Sequence, residues 1–199
     1  LVEHGMTPMA IAARLVYLGA PESLQSAVAA GLCGMGTTFA GTAEGAARLL
    51  EAAVAESPEG VVQDMARNIV ADFRRRKQPI PGIGHNLHKP VDPRATRLFE
   101  VAAEEGYAGR YVDLMRAIGQ EAGAAYGKSL PVNATGAIGA LCCELGISWR
   151  AARGVAVMGR AVGLVGHLVE EQARPIAAEV WLRTEEEVSE QDEPPVGGR

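Results

Sequence analysis

Apolar residues along this chain recur at helical spacing and seldom alternate as strand residues do. The clearest run is Val61, Met65, Ile69 and Phe73, four positions apart and therefore stacked on one face of a helix. Ser57 followed by Pro58 supplies a start signal for that helix, which runs into Arg74, Arg75, Arg76 and Lys77. Other segments read the same way. Thr7 and Pro8 open "PMAIAARLVYL", which Gly19 can end, and Pro21 with Glu22 leads into "ESLQSAVAAG". Thr42 is placed to cap "AEGAARLLEAAVAE", and Asp92 with Pro93 repeats the cap signature before "RATRLFEVAAEE". Helices are also predicted in "GRYVDLMRAIGQEAGAAYG", in "ATGAIGALCCELG", and from Ser148 through "WRAARGVAVMGRAVGLVGHLVEE". No pair of strands emerges, and the expected fold is all-α.

Composition narrows this picture. A chain of 199 residues, 48% of them hydrophobic, can bury one sizeable core together with a subunit interface, so one domain is expected over residues 1–183. The 24 glycines and only 5% aromatic residues suit closely packed helices better than a β-sandwich. "GLCGMG" and "GAIGAL" match neither a dinucleotide-binding turn nor a phosphate-binding loop, and close helix packing accounts for them.

The formal net charge of −5 resides entirely in residues 184–199, "TEEEVSEQDEPPVGGR", an acidic tail expected to be disordered. The remainder is neutral in sum, which argues against nucleic acid as a partner. Cys33, Cys142 and Cys143 fit neither zinc spacing nor a disulfide framework, so a reducing, cytoplasmic setting and no metal are expected. No apolar run reaches the roughly 18 residues of a membrane span, and no membrane partner is expected. The chain begins without methionine, as though helices were missing from its front end.

The segment "PGIGHNLHKPVDPR", residues 81–94, is too rich in Pro and Gly for regular structure. Pro79, Pro81, Gly82 and Gly84 alternately restrict and free the backbone around His85, the rigid support that a catalytic histidine needs. By itself this pattern also fits a hydrogen-bonded structural histidine.

This segment resembles the P-G-x-G-H…D-P-R signature of the citrate synthase superfamily, which includes citryl-CoA lyases and the lyase module of ATP-citrate lyase. Other landmarks follow in the family's order: "VEHG", "GMGTTFAGTAEGA", "VNATGAIGAL" and "GRAVGLVGHLVEE". The resemblance implies a helical fold in an intimately associated homodimer or a higher oligomer. It implies small-molecule substrates, among them a coenzyme A thioester, with no metal and no bound redox cofactor.

Residue roles follow from the same resemblance. His85 would act on the carbonyl or hydroxyl of the four-carbon half of the substrate, Arg94 and Arg160 would hold its carboxylates, and His4 would bind it as well. An arginine lent by the partner subunit would be Arg174 or Arg183, and the spacing leaves both open. At the coenzyme A end, Arg74, Arg75, Arg76 and Lys77 would meet phosphates beside Pro81, Gly82, Ile83 and Gly84. A solvated helix end, whose cations favour the C-terminal dipole, explains the same basic run.

Two positions depart from the synthase pattern. Phe39 stands where synthases carry a second histidine, as it does in ATP-citrate lyase, and Thr135 stands where the family carries a catalytic aspartate. A threonine hydroxyl is far too weak an acid to serve as a base near neutral pH, so removal of a methyl proton from acetyl-CoA should be poor. The expected activity is therefore retro-Claisen cleavage of citryl-CoA, or of a related 3-hydroxy-3-carboxyacyl-CoA, to acetyl-CoA and oxaloacetate. The alternatives are a citrate or 2-methylcitrate synthase and a catalytically impaired homologue that binds coenzyme A or citrate.

Overall fold

The computed structural model describes residues 2–85 and 89–191. Among the described residues the chain is all-α: α1 (Pro8–Gly19), α2 (Leu24–Cys33), α3 (Thr37–Glu56), α4 (Val62–Arg76), α5 (Pro93–Glu104), α6 (Arg110–Tyr126), α7 (Ala134–Glu144), α8 (Trp149–Ala173) and α9 (Ala177–Gln191). One isolated antiparallel bridge joins Ile83 to Val132. The chain has two compact units, Leu1–Gly36 with Val157–Arg199, and Thr37–Ala156.

The unit of residues 37–156 is organised around α7, a short helix whose Gly136, Ala137, Gly139, Ala140, Cys142 and Cys143 are all buried. Small residues let its neighbours come close: α3 lies against it, and α5 and α6 pack on it as well. A Cβ on Gly139 would meet the α3 backbone oxygen of Ala43 at 2.8 Å, so the glycines of "GAIGAL" do serve close helix packing. Leu50, Val70, Phe99, Val112, Leu114, Met115 and Ile118 fill the core around it. The Cys143 thiol sits in this core, where burial foremost pushes its pKa up to about 12.

Two helix starts differ from the sequence reading. Ser57 and Pro58 do not cap α4; "SPEG" forms a turn in which the Gly60 N–H donates to the Ser57 carbonyl at 3.0 Å, and the helix begins at Val62. Proline second and glycine fourth suit such a turn, and Arg110 pins it by donating to the Ser57 and Gly60 carbonyls. Thr42 is interior to α3, because the buried stripe of Ala43, Ala46 and Ala47 extends forward to Ala40.

In the other unit, α2 and α9 both pack on α1. The acidic segment expected to be disordered from residue 184 is helical through Gln191, and residues 192–199 lie outside the described residues. Glu, Leu and Ala are good helix formers. Glu171 accepts the Ile176 and Ala177 N–H groups at the start of α9, and Arg183 pairs with Glu187 one turn on. Contrary to the reading that no segment could span a membrane, the 25 residues of α8 are long and apolar enough by length and composition. Yet α8 carries Arg160, His167 and Glu171 buried within the protein, as a core helix does.

Gly109, the N-cap of α6, has no side chain to satisfy the first amides of that helix. Glu144, at the end of α7, does so instead: its Oε1 accepts from Gly109, Tyr111 and Val112 at 2.8–3.1 Å. Glu144→Ala is expected to cost about 1–2 kcal/mol, as loss of a helix cap does, read as a lower urea midpoint. An unchanged midpoint would show that water caps α6 equally well.

Candidate active site

The loop between α4 and α5 is laid across the N-terminus of α7. Gly82 and Gly84 have φ of 84° and 87°, a region that favours glycine. A Cβ on Gly82 would sit 2.4 Å from the Gly136 Cα, so the two backbones touch with no side chain between them. The Asn133 N–H donates to the Gly82 carbonyl at 2.9 Å, and the Gly84 N–H donates to the Pro131 carbonyl at 2.7 Å. Asn133 Nδ2 then donates to the Gly84 carbonyl at 2.7 Å, immediately before His85.

Asp92 ties this loop to two helices. Its carboxylate is fully buried. Oδ1 accepts from the Arg94 N–H and Nε, both at 3.0 Å, while Oδ2 accepts from Arg94 Nη2 at 2.8 Å and from the Ala134 N–H at 3.1 Å. One carboxylate thus caps α5, meets the first residue of α7 and holds a guanidinium in a fork. Burial alone would push its pKa up, but the Arg94 side chain and the two backbone N–H groups outweigh that and hold it at about 2. The hydrogen bond to Asp92 in turn raises the pKa of Arg94, which stays protonated.

Arg94 Nη2 also lies 3.1 Å from His85 Nε2. A guanidinium only donates, so Nε2 accepts, and the neutral imidazole carries its proton on Nδ1. In this arrangement the Nε2 lone pair of His85 is engaged by Arg94, whose side chain is 40% exposed.

Thr135 belongs to the same cluster through Asn133. Its hydroxyl donates to Asn133 Oδ1 at 2.7 Å, the oxygen that also accepts the Gly136 N–H and caps α7. Phe39 is half exposed on the first turn of α3. The basic run ends α4: Arg75 and Arg76 share Asp72, Arg74 lies over the Tyr126 ring at 5.8 Å, and Lys77 takes the left-handed C-cap conformation.

The remaining predicted residues belong to the other unit. His4 is exposed in the segment before α1. Arg160 is buried on α8, and its Nε and Nη1 have no hydrogen-bond partner among the described residues, a group ready for an anion. Arg174 stands exposed in the turn between α8 and α9, and Arg183 pairs with Glu187 on α9.

Sequence reasoning named His85 and Arg94, which the structure brings within 3.1 Å of each other, but missed what holds them. Asp92 was legible only as a helix cap and Asn133 only as the first letter of a motif. The signal for both was their residue type, since Asp and Asn are preferred N-caps and both lie where two chain segments meet.

Fold and site together define an all-α protein in which a loop histidine and an arginine converge over two helix N-termini, a class suited to binding and polarising carboxylates. The C-terminal domain of citrate synthase matches residues 1–179, and the chain belongs to this family. No match was found among curated protein sequences. Citryl-CoA lyase from Hydrogenobacter thermophilus is 37% identical with a TM-score of 0.77, covering 85% of this chain and 64% of that one. Citrate synthase from Pyrobaculum aerophilum is 26% identical with a TM-score of 0.65, covering 87% of this chain and 43% of that one. ATP citrate lyase from Methanothrix soehngenii, solved with citrate and coenzyme A, shares the fold at 24% identity and a TM-score of 0.69, covering 86% and 29%. The chain therefore spans less than two thirds of the length of each.

Because the pKa of Asp92 is depressed on folding, its contribution to stability is complete above the unfolded value near 3.9 and disappears as pH falls through about 2. Asp92→Asn should be about 2–3 kcal/mol less stable than wild type at pH 7. That gap should narrow between about pH 4 and pH 2 in denaturant titrations. A gap independent of pH over this range would contradict the assignment.

Proposed function

We propose that the chain carries the active-site machinery of a citryl-CoA lyase, cleaving citryl-CoA or a related 3-hydroxy-3-carboxyacyl-CoA to an acyl-CoA and a 2-oxo acid. The observation that carries this reading is the approach of Arg94 Nη2 to His85 Nε2 at 3.1 Å, together with a threonine where the family carries a catalytic aspartate. Similarity to a citryl-CoA lyase at 37% identity supports it.

His85 Nε2 takes the proton of the citryl hydroxyl. As the C–O bond becomes a carbonyl, the adjacent C–C bond breaks and its electron pair passes into the thioester enolate. Arg94 keeps its fork to Asp92 through Nε and one Nη2 hydrogen, while a substrate carboxylate replaces His85 as acceptor of the other Nη2 hydrogen. His4 and Arg160 are further substrate-binding groups in this proposal, with Arg174 or Arg183 lent by a second subunit. Water protonates the enolate carbon, because the Thr135 hydroxyl already donates to Asn133, and the hydroxide so formed takes the proton from His85, restoring the neutral imidazole. The coenzyme A thioester is a substrate, with Arg74, Arg75, Arg76 and Lys77 near its phosphates and the Pro81, Gly82, Ile83 and Gly84 backbone beside it. A cytoplasmic setting belongs to the same proposal.

Purified protein should release oxaloacetate from (3S)-citryl-CoA, followed by coupled oxidation of NADH. His85→Ala should lower kcat about 10²–10⁴-fold, the usual worth of a positioned base. Thr135→Asp should speed condensation of acetyl-CoA with oxaloacetate relative to wild type. Release no faster than a blank would overturn the lyase reading, and coenzyme A binding without turnover would favour an impaired homologue.

A homodimer is part of this proposal. Met158, Val162, Val165 and Val169 form one exposed apolar stripe on α8, each at least 40% exposed. Light scattering should give twice the chain mass, and Val162→Glu with Val169→Glu should shift it toward monomer. Monomeric wild-type protein would exclude an arginine lent in trans.

A further inference from the structure

A second charged cluster is built around Arg14 of α1. Arg14 is only 2% exposed. Its Nη1 donates to Glu171 Oε2 at 2.5 Å, and its Nη2 donates to His167 Nδ1 at 3.0 Å and pairs with Glu170. Buried ion pairs seldom add stability over apolar residues of the same size, so packing alone is a weak reason for this arrangement.

Both ends of the cluster reach segments with candidate substrate groups. At one end, the other oxygen of Glu171 accepts the Ile176 and Ala177 N–H groups at 2.9 and 2.8 Å. With the Arg174 N–H donating to the Glu170 carbonyl at 2.7 Å, the turn that bears Arg174 is fixed on both sides.

At the other end, the tautomer is decided by Arg14. Because a guanidinium only donates, His167 Nδ1 accepts and the ring proton lies on Nε2, which is 3.1 Å from Glu3 Oε2. Glu3 immediately precedes His4. The segment is also seated on α8 by backbone contact, since a Cβ on Gly163 would meet the Val2 carbonyl oxygen at 1.7 Å. The Glu3 carboxyl is held below its usual range, chiefly by the Gly5 N–H, with the charge of Arg160 contributing.

We propose that Arg14 and His167 are positioning residues: through Glu3 and Glu171 they set the segments carrying His4 and Arg174, and so the affinity for the four-carbon acid. The inference rests on the proposed roles of His4 and Arg174 as substrate-binding groups. Neither Arg14 nor His167 takes part in proton transfer. Their substitution should raise KM and leave kcat nearly unchanged.

Two substitutions separate the ends of the relay. His167→Asn keeps an oxygen where Nδ1 accepts from Arg14 but no longer reaches Glu3. His167→Gln keeps an amide donor where Nε2 faces Glu3. By calorimetry with citrate, His167→Asn should bind about 10-fold more weakly, the order expected when a buried N–H loses the carboxylate it faces at 3.1 Å. His167→Gln should stay within about 3-fold of wild type, and both should melt near the wild-type temperature. On (3S)-citryl-CoA the loss in His167→Asn should appear in KM.

Wild-type affinity in His167→Asn, or losses in both variants that simply track their melting temperatures, would overturn the proposal. So would an absence of citrate binding by the wild-type protein. Citrate binding without turnover would sink the lyase reading alone, because the comparison of the two variants by calorimetry would still stand.

Discussion

The buried carboxylate of Asp92 is the constraint on which the candidate site depends. An ionised group removed from water must be fully compensated, and four hydrogen bonds from Arg94 and Ala134 do so. Those donors are the start of α5, the start of α7 and the guanidinium of Arg94, so satisfying one anion brings two helices and a cation to one point. The placement of Arg94 beside His85 follows from it. The positive ends of two helix dipoles converge on the same spot, and they favour negative charge there, whether it belongs to the protein or to a bound acid.

Thr135 shows how the cluster divides the chemistry. The parts that would act on a hydroxyl and a carboxylate are supported on every side, from the Asn133 clamp on Gly84 to the fork on Asp92. The position that would take a proton from carbon holds a hydroxyl committed to the Asn133 cap. A carboxylate at that position could not donate to Asn133 Oδ1, so it would have to face away from the cap. The present sequence strengthens the helix start at the expense of a base.

Much of the fold was legible because helical periodicity and cap residues are local signals. Asp92 with Pro93 marked α5 correctly, and the stripe from Met65 to Phe73 marked α4. Where prediction failed, the deciding group lay far away in sequence. The turn at Ser57–Gly60 is pinned by Arg110, and α9 begins on the carboxylate of Glu171, neither of which a local reading of acidic or capping residues reveals. The site was legible in the same degree. His85 and Arg94 stood out by type and by family motif, whereas Asn133 and Arg14 act through contacts spanning 49 and 157 residues of chain. The division into two units was hidden because α8 reads as one uninterrupted helix while contributing to both.

The crossing of Gly82 over Gly136 leaves the histidine loop without a hinge of its own. With backbone against backbone there is no side chain whose rotamer could absorb a displacement, and no gap in which the strand could slide. The loop and the first turn of α7 are mechanically one part. Any rearrangement that moves the imidazole by this route must carry the end of α7 with it, and a ligand that bears on either would be felt at the other as a rigid lever rather than a flexible lid.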